Sequence, residues 1–208
     1  MGGNVGQLII SGLAAGYGNT NWYFDDTQPL SGIFTNPPSL GALAETMVQS
    51  INPSASIIYS NTQGSSSGTA AGHITEGLNI AGFYSFGLHG YYGDTNGGYA
   101  VNGTIQFTGQ SGWYVIDTDE SFNGERYEES QGNFLEWFSS NAFGGTGYSN
   151  TPIGAGSNVD EPGSTSCNPP QFFGYWAAGK SLAICAWNSQ IDGNAPKIQV
   201  IGDPFTKQ

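Results

Sequence analysis

Two short apolar runs constrain this chain more than any other feature. Residues 78–88 read LNIAGFYSFGL and residues 113–118 read WYVIDT. Neither alternates with polar residues as a strand with one wet face would. Strands of this kind need cover on both faces, which calls for further layers packed on a sheet. The rest of the chain offers that cover. Pro37-Pro38 precedes a helix with Ser39 as N-cap. Leu40, Leu43, Ala44, Met47, Val48 and Ile51 form its buried stripe, and Asn52-Pro53 ends it. A second helix is expected over 132–142, with Phe134, Leu135 and Phe138 facing in and Gly144-Gly145 beyond its end. Pro169-Pro170 opens a long third helix, in which Phe172, Phe173, Trp176, Ala177, Leu182, Ala183, Ala186 and Trp187 recur at helical spacing.

A short buried strand is expected at 56–60 (SIIYS), and further strands at 152–159 and 197–201 (KIQVI). A small β excursion through Tyr99, Val101, Ile105 and Phe107 breaks at Asn102-Gly103, a hairpin-type dipeptide. Residues 61–72 read as a mobile Gly/Ser/Thr loop, and 90–98 as another glycine-rich loop. Residues 1–38 read as a loop-rich lead-in with one aromatic patch, Trp22-Tyr23-Phe24, before Asp25-Asp26. The order predicts a single α/β domain over 1–208, a mostly parallel sheet sandwiched by helices.

Composition narrows the function. Glycine supplies 33 of 208 residues, against a usual share of about 7%. There is no G-X-Y period, so the chain is not collagen-like. The glycines gather at 64–72, 87–112 and 144–163, between the expected core elements. Sixteen acidic residues against four basic ones leave a formal charge of −12. Four scattered cations cannot neutralise a run of phosphates, which excludes nucleic acid as a partner, and an anionic membrane surface would repel the chain. A surface made polar by Ser, Thr, Asn and Gln rather than by Lys and Arg points to a secreted or cell-surface protein. Its signal would lie outside this chain, because the apolar run from Leu8 to Ala15 has no basic flank. That run is also too short to insert in a membrane. Two cysteines, Cys167 and Cys185, are not a disulfide framework. One bridge, two free thiols and one reactive thiol all fit. Two histidines and no C-x-x-C predict no metal centre, and nothing calls for a cofactor. Protein or peptide is the expected partner class.

Functional groups of open α/β sheets collect beyond the carboxyl ends of the strands. The run 78–88 ends in His89-Gly90, and 113–118 runs through Asp119-Glu120 into Ser121-Phe122-Asn123-Gly124. Paired in parallel, two such strands lie about 4.8 Å apart. His89 and Ser121 would then share one edge as base and nucleophile, with Gly90 and Gly124 shaping the turns. Both dipeptides also suit ordinary turns. Asp117, Asp119 and Glu120 could orient His89 or bind a cation, or simply be polar strand-end residues. Arg126 could hold a substrate carboxylate, or pair with Glu125, Glu128 or Glu129. Asp25-Asp26 fits a pocket for a basic side chain or an Asx turn closing the aromatic patch. Asp160-Glu161 is equally open, and His73, beside a Gly/Ser loop, reads as exposed. Asp94-Thr95-Asn96-Gly97 lacks the bidentate Glu of a calcium loop. Asn102-Gly103-Thr104 matches the glycosylation triplet, which is frequent by chance. Trp22, Tyr23, Tyr91, Tyr92 and Trp113 could stack on sugars, which makes glycan binding a third class of function.

A strand ending in His-Gly, followed by a strand ending in Cys-x-x-Gly, resembles the caspase/gingipain clan of cysteine peptidases. The gingipain branch closes on a hydrophobic strand and a Gly-Asp-Pro turn. This chain has His89-Gly90, then Ser121-Phe122-Asn123-Gly124, then Ile198-Gln199-Val200-Ile201-Gly202-Asp203-Pro204, in that order. TDESFNGERY, NTPIGAGSNVDEP and YWAAGKSLAICAWNS are similar to a group of uncharacterised, mostly exported bacterial proteins within that likeness. The resemblance spans 74–207. It implies a caspase/gingipain-like α/β domain with Ser121 at the place of the cysteine nucleophile. Serine needs stronger base assistance than cysteine, so the resemblance implies a non-catalytic binding or surface module. The alternative is a Ser–His hydrolase using Ser121 and His89, with Arg126, Asp119 and Glu120 at the substrate. Clan members carry strands ahead of the His-Gly strand, and residues 1–60 are expected to supply one or two. That implies an N-terminally truncated sheet with an exposed edge, prone to self-association.

Overall fold

The computed structural model describes residues 19–26, 28–29, 40–61, 63–65, 72–85, 100–101, 103–118, 122–126, 134–160, 167–191 and 197–208. Six strands form the central sheet: β1 (Asn21–Asp25), β3 (Ser56–Ser60), β6 (Ile80–Ser85), β8 (Val115–Thr118), β9 (Gly154–Asn158) and β10 (Ile198–Gly202). Their order is β10-β9-β8-β6-β1-β3. Every neighbouring pair is parallel except β9 and β10, which run antiparallel. Two small parallel pairs lie apart from it, β2 (Gln28–Pro29) with β4 (Gln63–Ser65) and β5 (Glu76–Leu78) with β7 (Gln106–Thr108).

The two faces are covered differently. Trp22 and Phe24 of β1, Tyr84 of β6 and Val115 of β8 pack under three helices, α1 (Leu40–Ile51), α3 (Pro169–Ala177) and α4 (Leu182–Ser189). On the opposite face Tyr23, Phe83 and Ile116 meet Phe107 of β7, Trp137 of the one-turn α2 (Phe134–Trp137) and Phe143 of the 3₁₀ turn Ala142–Gly144. That second core is an aromatic stack: Phe107 and Phe143 lie face to face at 4.7 Å, and Tyr114 meets Phe107 edge-on at 5.6 Å. The Asn150 side chain binds it from beneath, donating to the carbonyls of Phe107 and Phe143. The mostly parallel α/β sheet with helices is therefore present. Among the described residues, however, the longer helices cover one face and short irregular pieces cover the other, rather than helices sandwiching both.

Several local expectations change. The aromatic patch of the lead-in is β1, an interior strand, with Trp22 and Phe24 wholly buried. In α1 only the Leu40, Ala44 and Val48 part of the stripe is buried with Gly41, while Leu43, Met47 and Ile51 are exposed. Ser39 lies outside the described residues. Strand β3 is an edge strand and only partly covered. The run 78–88 bends at Asn79, whose φ of 50° separates β5 from β6. Segment β7 pairs in parallel with β5 instead of turning back as a hairpin. In α2, Trp137 faces in and Leu135 is exposed. The long C-terminal helix is two helices, separated at Gly179, which adopts φ +69°; Trp187 is exposed on the second. No helix among the described residues is long and apolar enough to cross a membrane.

Candidate site at the carboxyl edge of the sheet

The order of the strands locates a site before any side chain is considered. From β1 the chain passes through α1 to β3 on one side, then crosses back to β6 on the other. The switch point lies between β1 and β6, and open α/β sheets bind ligands at the carboxyl ends beside such a point. There Asp25 pairs with Ser85, and Ser85 in turn with Thr118 of β8. All three are buried, and so are Asp26, Asp117, Asn123, Ser157 and Asn158 at the same edge. Eight of the twelve buried polar residues of the described chain thus gather at one end of the sheet. Burying polar groups is costly unless they are hydrogen-bonded; Thr118, Asn123 and Asn158 bond one another, while Asp25, Asp26 and Ser157 bond groups beyond the set.

Asp25 holds the segment that returns towards β6. Its Oδ2 lies 3.0 Å from His73 Nδ1 and accepts from the backbone N–H of Ile74 at 2.8 Å. The His73 side chain is 3% exposed, so the expectation of an exposed histidine fails. Asp26 points to the helical face. It accepts from the N–H groups of Gly41 and Ala42 at 2.8 and 3.1 Å, and from the Tyr59 hydroxyl at 2.8 Å. A strand-end carboxylate thereby caps α1 from across the fold. Burial raises the Asp26 carboxyl above the ordinary range, against the lowering effect of those three bonds. Asp26 serves as a cap on α1 rather than as part of a pocket for a basic side chain.

Residues His89, Gly90, Asp119, Glu120 and Ser121 lie outside the described residues, as do Tyr91 and Tyr92. The strands that lead to them do not. Strands β6 and β8 are parallel neighbours with Ser85 opposite Thr118; in sequence, His89 follows Ser85 by four residues and Ser121 follows Thr118 by three. The turn just past Ser121 is firmly held. Phe122 adopts φ 60°, a left-handed conformation uncommon outside glycine. Asn123 donates to the Thr118 hydroxyl and accepts from the Asn158 N–H at 2.7 Å. Gly124 N–H donates to the Asn158 carbonyl at 2.7 Å, and a Cβ there would lie 2.9 Å from that oxygen. Glycine is required at 124 by this close approach. Arg126 is exposed and forms no ion pair among the described residues; Glu128 and Glu129 lie outside them. Asp160 is 3.6 Å from Lys197, while Glu161, Asn102 and residues 94–97 also lie outside the described residues.

Asp117, read from sequence as strand-end polarity, is buried on the helical face beside Cys167. Burial pushes its carboxyl up to about 7, against the lowering effect of hydrogen bonds from the Cys167 thiol and the Thr118 backbone. Its Oδ2 has no hydrogen-bond partner among the described residues. Neither cysteine forms a disulfide, and both are buried. Cys167 Sγ lies 3.1 Å from Ser189 Oγ, and burial pushes the Cys185 thiol up to about 12. Among the described residues no cluster of three His, Cys, Asp or Glu side chains could hold a metal ion.

No local pattern shows the contacts of His73 with Asp25 or of Asn123 with Asn158, 48 and 35 residues away; Asp117 was marked by its place at a strand end, but its Cys167 neighbour, 50 residues on, was not. A polar residue at the end of an apolar strand was the one available hint. Fold and edge together define an α/β domain with a buried polar floor at the carboxyl ends of a mostly parallel sheet. Compared with known proteins, the chain matches no family model, no curated protein and no solved structure.

Proposed function

We propose that this chain is an exported caspase/gingipain-like domain whose nucleophile position is occupied by Ser121, and that it binds protein or peptide at the carboxyl edge without cleaving it. The observation that carries this reading is the parallel pairing of β6 and β8, whose ends lead to His89 and Ser121. It supports one shared edge for the two clan motifs. The state of the thiols supports the non-catalytic version. Cys185 is buried with its thiol pushed up to about 12, and Cys167 lies inside the core, so neither offers an accessible thiolate in place of the missing cysteine.

The same pairing favours a second reading, a hydrolase in which Ser121 attacks and His89 takes its proton. A fluorophosphonate probe separates the two. The binding module is left unlabelled; labelling that Ser121→Ala and His89→Ala each abolish would overturn it and establish the hydrolase. Glycan binding loses two of its five aromatics, since Trp22 and Tyr23 are buried in the core. Trp113 is partly covered, its indole N–H bonded to the Lys207 carbonyl.

A further inference from the structure

Asp117 occupies an unusual place. It stands on β8 between β6 and β9, on the face covered by α3 and α4, and is 1% exposed. Opposite it on β9 is Gly156. A Cβ at 156 would lie 2.7 Å from Asp117 Oδ1 and 3.8 Å from Cys167 Sγ, so carboxyl and thiol meet in the space left by that glycine. Cys167 is fixed to the end of α4 through its backbone bridge to Gln190 and through the Asn168 N–H to the Ser189 carbonyl. Its thiol lies against Ser189 Oγ, which donates to the Ala186 carbonyl. On the sheet side, the thiol meets the Asp117 carboxyl.

We propose that Asp117, Cys167 and Ser189 form a proton-operated latch. With the carboxyl protonated, the cluster pins the Cys167 end of the β9–α3 connection to β8; loss of the proton frees it. A neutral acid tolerates one unbonded oxygen, whereas a buried carboxylate with no cation beside it does not. Among the described residues, the titratable groups on this face are Tyr59, Tyr84 and Tyr175, the Cys167 and Cys185 thiols, and Asp26 at the end of β1 two strands away; opposite Asp117, β9 contributes Gly156. Burial, the Cys167 thiol and the Thr118 backbone act on the carboxyl, and no charged side chain among the described residues does. Because β9 ends at Asn158, which holds the turn after Ser121, the latch borders the edge to which the clan motifs lead. It does not depend on whether that edge is catalytic.

Pulsed alkylation with iodoacetamide between pH 5.5 and 8.5, with adducts located by mass spectrometry, tests this on the whole chain. Any accessible thiol reacts faster as pH rises, so wild type and Asp117→Asn are compared at each pH. Between pH 6 and 8 the labelling of Cys167 should rise about tenfold more in wild type than in the variant, with Cys185 protected in both. Identical Cys167 profiles, or Cys167 and Cys185 reacting in parallel, would overturn the latch. Should the variant not fold, amide exchange in wild type decides: the rate for 167–190 relative to α1 should climb through pH 7, and a constant ratio would sink the proposal.

Discussion

At Asp26 a carboxylate from the end of β1 takes the place of a helix cap, bonding two N–H groups of α1 and the Tyr59 hydroxyl. Asp26→Ala should cost about 2 kcal/mol in urea unfolding, the usual scale for a lost cap with buried partners left unsatisfied; Asp26→Asn, which keeps an acceptor, should cost less. Asp25 and His73 form a coupled pair, so Asp25→Ala and His73→Ala should be non-additive by about 1 kcal/mol in a double-mutant cycle. Additive losses would show that each side chain acts alone. Asp117 carries the pH dependence. Its proton is lost near the ordinary 3.8 when unfolded and near 7 when folded, so between those values the folded chain binds more protons. Stability from this group is complete below about pH 4, falls as pH rises to about 7 and is level above it. The 3.2-unit interval at 1.36 kcal/mol per unit sets an upper bound of about 4 kcal/mol. Relative to wild type, Asp117→Asn should gain up to that amount between pH 4 and pH 7. A difference that stays flat with pH would mean that Asp117 does not bury its proton.

Elements followed their periodicity where one face decided burial and departed from it where neighbours intervened. The 56–60, 113–118 and 197–201 runs each contain a strand because apolar β-formers are packed between turn residues. The aromatic patch of β1 was missed because Asp25 and Asp26 look like the start of a turn; their partners, His73 and the N-terminus of α1, are distant in sequence. The C-terminal helix reads as continuous because its apolar spacing runs through the break, yet Gly179 marks it. Two glycine substitutions therefore separate two physical effects. A Cβ at Gly82 of β6 would lie 2.7 Å from the Trp22 ring and 3.0 Å from Phe173, so Gly82→Ala should cost about 2–3 kcal/mol by overpacking. Gly179 has open space but φ +69°, so Gly179→Ala should cost about 1 kcal/mol through backbone conformation. Denaturant melts showing the reverse order would place the α3–α4 break, rather than the β1–β6 contact, at the tighter point of the helical layer.

For the whole molecule, charge and topology act on different properties. The excess of acid over base gives a pI near 4.1, and net charge of one sign keeps molecules apart. Light scattering should therefore show self-association growing as pH falls towards 4 and receding at pH 7, where the formal charge is −12. Unchanged scattering across that range would assign the association to apolar surface instead. Which edge of the sheet carries the polar floor was legible in sequence from the strand ends; which side chains build it was not, since the floor is made by register between strands.

The position of β1 also sets an order on assembly during synthesis. Its neighbours are β3 and β6, so the earliest of the described strands is an interior one, and β1, α1 and β3 can come together before β6 is made. From then on β6, β8 and β9 extend the sheet in one direction, each addition leaving a fresh parallel edge for the next. The antiparallel β10 ends that growth after two helices have been laid down. A nascent chain stalled between β9 and β10 would thus display its template strand longest, making that interval the point at which a chaperone has the most to cover.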